Sequence, residues 1–314
     1  MAPFSPEIVC AGELLIDLLS TDYADTFREA DHYRRYPGGS PANLAMNLAR
    51  LGSKVGLLAT VGRDDAGKLL LDELVAAGVD TAAVHKVTEP TTMVLVTKSR
   101  ATSQFEVYRS ADVHIGKEQL PDDYLTETQI FHTTAFALSR EPARSAIMDL
   151  ARTAVSGGAR LSIDLNYAAK VWPDRLDALW TLSQYVALGQ EAGRGSLVKC
   201  SDVDYQRLFD EAPETNLEAG ERLRDFGAGV VCLTLGEKGC YVLGEKEEFE
   251  LPSRPVTVRD TTGAGDAFWS GFLAAYAVGR DLHTCAMAGR AMAERKLTTV
   301  GPLRESVTLD ALLG

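Results

Sequence analysis

Short apolar runs rich in Val, Ile and Leu alternate along the chain with stretches that have apolar residues at helical spacing. This alternation is typical of a parallel sheet that carries helices on its faces. The clearest apolar runs are 55–61, 161–165 and 230–235, and the clearest helical stretches are 68–77, 142–155 and 217–226.

The ends of the predicted helices carry the expected residues. Ser40 and Pro41 stand where an N-cap and a first-turn residue belong, and Gly52 falls where a left-handed residue would end that helix. Three other glycines are placed in the same way at helix ends: Gly78, Gly157 and Gly227.

Two stretches, 14–36 and 92–113, interrupt the alternation, because neither contains a strand followed by its own helix. We expect their strands to form a small sheet that covers a site as a lid. The predicted domains are therefore an α/β core of residues 1–13, 37–91 and 114–314, and this β-lid.

Composition limits the function without choosing it. With 314 residues, 46% of them apolar, the chain can bury a large core, and its net charge of −12 argues against nucleic acid or an anionic membrane as a partner. Five scattered cysteines without Cys-x-x-Cys spacing predict reduced thiols in a cytoplasmic protein. We find no basic region followed by an apolar stretch at the start of this sequence, as a signal peptide would show, and no apolar window long enough to cross a membrane.

The segment Asp260-Thr-Thr-Gly-Ala-Gly-Asp266 carries the most informative chemistry. Gly263, Ala264 and Gly265 allow close approach of a ligand, and their amides would lie at the N-terminus of the helix that follows, a site that favours phosphate. Asp266 would then face an anion, which suits a base that accepts a proton from an attacking hydroxyl. We expect the helix N-terminus to lower the pKa of this carboxylate and to keep it ionised. The alternative is an ordinary helix start, capped by Asp260 or Thr262.

A second segment, 36–52, pairs glycines with an amide side chain. Gly38 and Gly39 allow backbone contact with a ligand, and Asn43 offers the donor and acceptor that sugar hydroxyls need. A glycine turn before an ordinary helix remains the alternative. Upstream, Asp17 lies in an apolar strand. A carboxylate that is buried there needs a partner, which a polyol can provide, and the alternative is that Asp17 stands at an exposed end of the strand.

A third segment imitates a P-loop. Residues 62–69 fit Gly-x-x-x-x-Gly-Lys after a strand, but Leu69 stands where Ser or Thr would hold magnesium. Asp64 and Asp65 would also oppose phosphate, so we predict a strand-to-helix turn with an acidic N-cap.

These segments together resemble the signatures of the ribokinase (PfkB) family of carbohydrate kinases, and the resemblance covers essentially the whole chain. The first signature is matched by Gly38-Gly-Ser-Pro-Ala-Asn43 and the second by Asp260 to Asp266, in the right order and at the right separation. The resemblance implies an α/β three-layer sandwich, with a mostly parallel central sheet between helices, and a small β-sheet lid. It also implies transfer of a phosphoryl group from ATP, with Mg²⁺, to a sugar hydroxymethyl group.

The resemblance assigns roles to particular residues of this chain. Asp266 would be the catalytic base, assisted by Gly263, Ala264 and Gly265. The sugar would contact Asp17, Gly38, Gly39, Asn43, Tyr108, Arg109 and Asn166. The nucleotide would contact Lys199, Ser201, Thr234, Gly236, Gly239, Gly263 and Gly265. Asp204 would bind Mg²⁺, directly or through water, and Asp260 with Thr262 would hold a monovalent cation such as K⁺.

Two positions depart from the family pattern. Ala168 stands where an arginine is usual, with Lys170 the nearest cation, and Ser201-Asp-Val-Asp204 replaces Asn-x-x-Glu. A lysine does not reproduce a planar guanidinium, and Asp204 has a shorter reach toward a metal.

Within the family the chain is most similar to bacterial fructokinases. Arg109 leaves a 2-keto-3-deoxygluconate or related sugar-acid kinase open, because a guanidinium binds carboxylates and hydroxyls alike or pairs on the surface. A sugar- or nucleotide-binding sensor without catalysis is a third alternative, which Asp266 disfavours. Open edges of the lid sheet would allow a homodimer.

Overall fold

A computed structural model describes residues 5–98 and 104–314. The strands are β1 (Ile8–Ala11), β2 (Leu15–Ser20), β3 (Tyr33–Gly38), β4 (Val55–Gly62), β5 (Val84–Val87), β6 (Met93–Thr97), β7 (Gln104–Tyr108), β8 (Ile130–Thr134), β9 (Arg160–Asp164), β10 (Ser196–Ser201), β11 (Ala228–Thr234), β12 (Cys240–Leu243) and β13 (Glu248–Leu251). The α-helices are α1 (Ser40–Arg50), α2 (Asp65–Ala77), α3 (Ala143–Ser156), α4 (Arg175–Glu191), α5 (Asp202–Phe209), α6 (Asn216–Asp225), α7 (Ala264–Ala277), α8 (Leu282–Leu297) and α9 (Leu309–Leu313).

The central sheet contains nine of the described strands, in the order β13-β12-β11-β10-β9-β8-β1-β4-β5. From β11 to β5 all neighbours are parallel, and β12 and β13 are added antiparallel at one edge. The mostly parallel sheet predicted from the alternation is thereby confirmed.

Helices cover both faces of this sheet, because its strands are apolar on both sides. In β1, Val9 and Ala11 pack into a core with α3, α4, α5 and α6, whereas Ile8 and Cys10 pack into a second core with α1, α2, α7 and α8. Two buried layers on a parallel sheet form the expected three-layer sandwich.

The smaller sheet has the strand order β3-β2-β6-β7. Its outer pairs are antiparallel and its central pair, β2 with β6, is parallel. Strand β3 continues through Gly38, two residues beyond the predicted boundary at residue 36. The small separate sheet is confirmed, and the exact division into core and lid stays a prediction.

Helix ends agree with the sequence at most positions and differ at two. Gly52, Gly78 and Gly227 adopt positive φ as predicted, but Gly157 is helical and the left-handed residue is Gly158. Ser40 is the first residue of α1 rather than its N-cap, which is Gly39 with φ +100°. A Cβ at Gly39 would lie 2.2 Å from the Glu13 carbonyl oxygen, so the turn requires glycine at that position.

Residues 62–69, which resemble a P-loop in sequence, form a strand-to-helix turn with Asp64 as an acidic N-cap, as predicted. Asp64 accepts a hydrogen bond from the Gly67 amide at 2.8 Å and another from the Thr91 amide at 2.8 Å. This carboxylate occupies the start of α2, so the turn has no room for phosphate.

All five cysteines are free and buried. None of the helices in 5–98 and 104–314 is both long enough and apolar enough to cross a bilayer.

Candidate active site

The candidate site lies where the parallel strands end at their carboxyl edge. Strands β9, β10 and β11 finish there at Asp164, Ser201 and Thr234. Open α/β sheets bind ligands at this edge, and here the N-termini of α1 and α7 meet it.

Helix α7 begins without a side-chain cap. Gly263 is its N-cap, with φ +75°, and the carboxylate of Asp260 accepts instead from the Thr262 amide at 3.0 Å. The ordinary capping alternative, with Asp260 or Thr262 capping α7, is therefore not what the chain does. The Ala264 amide donates to the Thr261 carbonyl at 3.2 Å, and the next amides of the first turn, those of Gly265 and Asp266, are left to donate to a ligand.

Asp266 joins the two sequence signatures. Its Oδ1 accepts from the Ser40 hydroxyl at 2.7 Å, and its Oδ2 accepts from the Asn43 side-chain amide at 2.9 Å. Ser40 is a functional residue that sequence reasoning missed, since it was interpreted only as an N-cap. The partly buried carboxylate is thus held in one orientation by α1.

Burial raises the pKa of Asp266, and the hydrogen bonds from Ser40 and Asn43 offset this only in part. The expectation that a helix N-terminus would hold this pKa low is therefore wrong. Desolvation of the carboxylate outweighs its hydrogen bonds and the charge of Lys199, and the raised pKa makes Asp266 a stronger base than an exposed aspartate.

Asp17 lies near this carboxylate in a small cavity. The lining of the cavity includes Asp17, Tyr36, Asn43, Gly263 and Lys296. Burial, and then the charge of Asp266, raises the pKa of Asp17 to about 7. A Cβ at Gly38 would lie 2.1 Å from Asp17 Oδ2, so the glycine gives this carboxylate its space. A carboxylate and an amide side chain in one cavity, those of Asp17 and Asn43, suit a ligand rich in hydroxyl groups.

Replacing Asp17 by asparagine is expected to stabilise the free protein at pH 8. An acid whose pKa is raised by folding destabilises the fold once ionised, so its cost is absent near pH 4 and complete above pH 7. Allowing for partial solvent contact, we expect Asp17→Asn to increase the free energy of unfolding by about 1 to 2 kcal/mol at pH 8. Urea unfolding at pH 8, 6 and 4 measures this difference. A variant equally stable at pH 8, or gaining most at pH 4, would contradict the assignment.

A larger cleft of about 890 Å³ opens on the other side of the α7 N-terminus. Its lining includes the predicted nucleotide residues Lys199, Ser201, Thr234, Gly236, Gly239 and Gly265, the predicted Mg²⁺ ligand Asp204, and Ala264. Gly263 lines the small cavity, whereas Ala264 and Gly265 line the cleft. The first turn of α7 therefore separates the two spaces and presents residues to both.

A buried ion pair lies beneath this turn. Lys199 Nζ donates to Asp164 Oδ2 at 2.7 Å, and both side chains are about 5% exposed or less. Burial acts to lower the pKa of Lys199, but Asp164 and the more distant Asp266 and Asp204 outweigh it and raise the pKa. Lys199 therefore stays charged, and a Cβ at Gly265 would lie 3.1 Å from its Nζ.

Two buried oxygens beside this pair find no hydrogen-bond partner among the described residues, Asp164 Oδ1 and Asn166 Oδ1. Buried acceptors without partners are costly, so they indicate a missing donor or cation. The role of Asp164 was not predicted. Its signal, an acid at the end of an apolar run, is present in the sequence.

Ser201 and Asp204, which depart from the family pattern, form the cap at the start of α5. Ser201 accepts from the Asp204 amide at 3.0 Å and donates its hydroxyl to Asp204 Oδ2 at 2.7 Å. Burial raises the pKa of Asp204 to about 6. Within residues 5–98 and 104–314 no group of three or more His, Cys, Asp or Glu could hold a metal. A divalent ion here would take most of its ligands from a nucleotide and water.

Of the predicted sugar contacts only Asp17 and Asn43 line the small cavity, and the other five, Gly38, Gly39, Tyr108, Arg109 and Asn166, do not. Tyr108 is 59% exposed at the end of β7, and Asn166 is half-buried. Arg109 donates from Nε to Asp112 at 2.8 Å and from Nη2 at 2.6 Å. Its Nη1 donates to the Phe136 carbonyl and the Ser139 hydroxyl, and the guanidinium stacks 4.3 Å from the Phe136 ring. This arginine is thus paired with a carboxylate of the protein itself.

Lys170, the cation nearest to Ala168, connects the core to the small sheet. Its ammonium donates to Glu106 at 2.6 Å and to the Phe105 carbonyl at 2.9 Å, and about half of its side chain is exposed. Ala168 packs at the edge of an apolar core. The small cavity therefore receives no guanidinium from this segment, although an arginine is usual in the family at the position of Ala168.

Two further residues near α1 and α7 were not predicted. Glu13 is buried, accepts from the Ser40 amide at 3.1 Å and from Thr134 at 3.0 Å, and has its pKa raised by burial to about 8. Lys296 donates to Asp260 Oδ2 at 3.1 Å. Burial acts to raise the pKa of Asp260, yet hydrogen bonds from Gly301, Thr262 and Lys296 outweigh it and lower the pKa. A single lysine in a helical pattern gives no sequence signal for this contact.

Comparison with known proteins identifies the family of this chain. A model of the pfkB family carbohydrate kinases matches residues 5–307. The chain is 34% identical over 307 residues to the ATP-dependent 6-phosphofructokinase of Thermoanaerobacterium thermosaccharolyticum, covering 98% of this chain and 92% of that protein.

Solved structures share the fold at similar coverage. A sugar kinase of Pyrococcus horikoshii in complex with ATP superposes with a TM-score of 0.83 at 27% identity, over 96% of both chains. The fructokinase of Halothermothrix orenii gives a TM-score of 0.76 at 30% identity, over 95% of this chain and 100% of that chain. With both signatures meeting at Asp266 and a family match over nearly its full length, this chain belongs to the pfkB family of carbohydrate kinases.

Proposed function

We propose that this ATP-dependent carbohydrate kinase phosphorylates the hydroxymethyl group of a neutral ketohexose, with fructose as the preferred substrate and fructose 6-phosphate as the product. One observation carries the proposal: the first turn of α7 separates a small polar cavity from a large cleft, and Asp266 in that turn is held by Ser40 and Asn43. A sugar in the cavity and ATP in the cleft would meet at this turn.

In this mechanism Asp266 accepts the proton of the attacking hydroxyl. Its raised pKa brings the carboxylate closer to the operating pH, which favours proton transfer. The oxygen then attacks the γ-phosphorus in line. The amides of Gly263, Ala264, Gly265 and Asp266 and the ammonium of Lys199 stabilise the charge that develops on the phosphoryl oxygens.

Mg²⁺ would supply further charge neutralisation on the phosphates when bound. The chain fits this ion, because Asp164 Oδ1 is buried without a partner among the described residues beside Lys199, and Lys199 and Asp204 line the cleft. These two carboxylates would hold the ion directly or through water, which suits its reluctance to lose water.

The preference for a neutral sugar rests on Arg109. Its guanidinium is bound at two nitrogens by Asp112, so a substrate carboxylate would have to compete with a carboxylate that is already in place. This weakens the sugar-acid alternative. Asp17 and Asn43 remain as polar contacts for hydroxyl groups in the cavity.

A second candidate substrate is a sugar phosphate such as fructose 6-phosphate, favoured by Arg50. This residue is 7% exposed, lines the same cavity as Asp17 and Asn43, and its Nη1 lacks a partner among the described residues. Asn43, Asn47 and Arg50 share one face of α1, so an anion at the far end of a substrate would reach the guanidinium. The 34% identical relative is named for phosphorylation of such a substrate.

A substrate panel tests the proposal. ATP consumption is measured with fructose, 2-keto-3-deoxygluconate and fructose 6-phosphate as acceptors. We expect kcat/KM for fructose to exceed that for the sugar acid by about 10² or more, since one well-placed polar contact discriminates on this scale. Arg109→Ala should affect both sugars alike. A selective loss of sugar-acid turnover in that variant would contradict the neutral-sugar proposal, and turnover of fructose 6-phosphate alone would favour the second candidate.

We also propose that the protein forms a homodimer and is located in the cytoplasm. Strands β3 and β7 are the outer strands of the small sheet, and their outer edges pair with no other described strand, which supports a homodimer through this sheet. The reduced state of five buried cysteines supports a cytoplasmic location.

A further inference from the structure

A cationic side chain of the protein itself, that of Lys296, contacts the predicted K⁺ ligand Asp260. Lys296 Nζ donates to Asp260 Oδ2 at 3.1 Å and to the carbonyl oxygen of Thr299 at 3.2 Å. Lys296 is 5% exposed. A carboxylate and a backbone carbonyl are the kinds of oxygen that a monovalent cation would also select.

The position of Lys296 in α8 does not by itself explain this contact. It lies in the last turn, where a cation interacts favourably with the helix dipole, and its neighbour Arg295 has the same advantage while staying partly exposed. Lys296 instead turns inward, and its Cε lies 3.8 Å from the position of a Cβ at Gly263, the N-cap of α7. Its ammonium is therefore directed at the segment that precedes the candidate anion site.

The other hydrogen-bonding positions of the Asp260 carboxylate are also occupied by donors of the protein. Oδ2 accepts a second hydrogen bond from the Gly301 amide at 3.0 Å, and Oδ1 accepts from the Thr262 amide at 3.0 Å. A potassium ion on the same carboxylate would be repelled by the ammonium and would compete with these donors. The arrangement around Asp260 and Thr262 does not fit a bound monovalent cation.

We propose that Lys296 is a built-in replacement for the monovalent cation, so that this kinase works without K⁺. Lys296 acts as a positioning residue. Its charge ties the segment 260–263 to the segment 299–301, and this holds the amides of Gly263 to Asp266 in place for the phosphoryl group. The inference concerns cation dependence and holds for any sugar that the enzyme accepts.

The wild-type protein provides the first test. Thermal unfolding with ATP and Mg²⁺ is followed in tetramethylammonium chloride and in KCl at equal ionic strength, and turnover is measured in the same two salts. We expect both midpoint and turnover to be the same in the two salts, to within about twofold for turnover. A clear rise of the midpoint or of turnover in KCl would overturn the proposal without any variant.

Lys296→Ala provides the second test, because alanine removes the ammonium and leaves its place open to an ion. Without K⁺ we expect turnover to fall by about 10-fold to 100-fold, as for other misplaced catalytic groups, and the melting midpoint to fall as well. Addition of KCl should raise both again, because an ion can now occupy the place of the ammonium. Lys54→Ala is the matched control, since it removes an exposed ammonium 3.9 Å from Glu7 and should leave both measurements unchanged.

The outcomes separate this inference from the proposed sugar. A variant that keeps wild-type turnover and stability in tetramethylammonium, or that loses them without any recovery in KCl, contradicts the role of Lys296. The melting experiment needs only ATP and salt. Failure to phosphorylate fructose would therefore count against the proposed function and leave the cation result standing.

Discussion

Replacing Asp266 by asparagine is expected to lower turnover by a factor of about 10² to 10⁴, or about 3 to 5 kcal/mol of barrier, because the amide cannot accept the proton of the attacking hydroxyl. The fold should survive. Ser40 and Asn43 can still hydrogen-bond the amide, and burial already disfavours the ionised carboxylate, so the melting midpoint should stay equal or rise. Steady-state ATP consumption, thermal unfolding and ATP titration of the purified variant measure the three effects.

The control for this prediction is Asp65→Asn. Asp65 lies in the first turn of α2 and Asp266 in the first turn of α7, as the first and the third residue of their helices, but α2 starts at an acidic N-cap instead of a cavity. If Asp266 served only to complement the helix dipole, the two variants would behave alike, with stability changes of about 0.3 to 1 kcal/mol and normal turnover. Near-normal turnover of Asp266→Asn would remove the proposed base.

The fold was predictable because its main signal is local. A strand buried on both faces needs apolar residues at every position, and 55–61 in β4 shows this directly. The small sheet was found by its lack of crossover helices. Positions within a turn were less predictable, as Gly157 and Gly158 show, since either of two adjacent glycines can adopt the left-handed conformation.

The candidate site was predictable where short segments act alone, and much less so where distant side chains meet. The glycines before α7 and the acid within it follow from one segment. The hydrogen bond from Ser40 to Asp266 spans 226 positions, and the pair Lys296 with Asp260 spans 36, so no local pattern reveals them. The pKa of Asp266 was misjudged for the same reason, because burial is set by the whole fold.

Lys199→Met is expected to lower the free energy of unfolding by about 3 to 5 kcal/mol, since it leaves the Asp164 carboxylate buried without its charge partner. Urea unfolding at neutral pH measures this loss. Lys170→Met is a control matched in geometry, because its ion pair with Glu106 is 2.6 Å long but about half exposed. That variant should lose at most about 1 kcal/mol, so the difference between the two isolates the effect of burial.

The double variant Lys199→Met with Asp164→Asn separates stability from catalysis. Removing both charges should recover most of the lost stability, because an amide costs far less to bury than an unpaired carboxylate. Turnover should not recover, since the Lys199 ammonium lies below Gly265 in the phosphoryl site that we propose, and Asp164 Oδ1, which has no partner among the described residues, is our proposed contact to Mg²⁺. A double variant as unstable as Lys199→Met alone would show that Lys199 stabilises the fold through packing and not through Asp164. A double variant with restored turnover would exclude both charges from phosphoryl transfer.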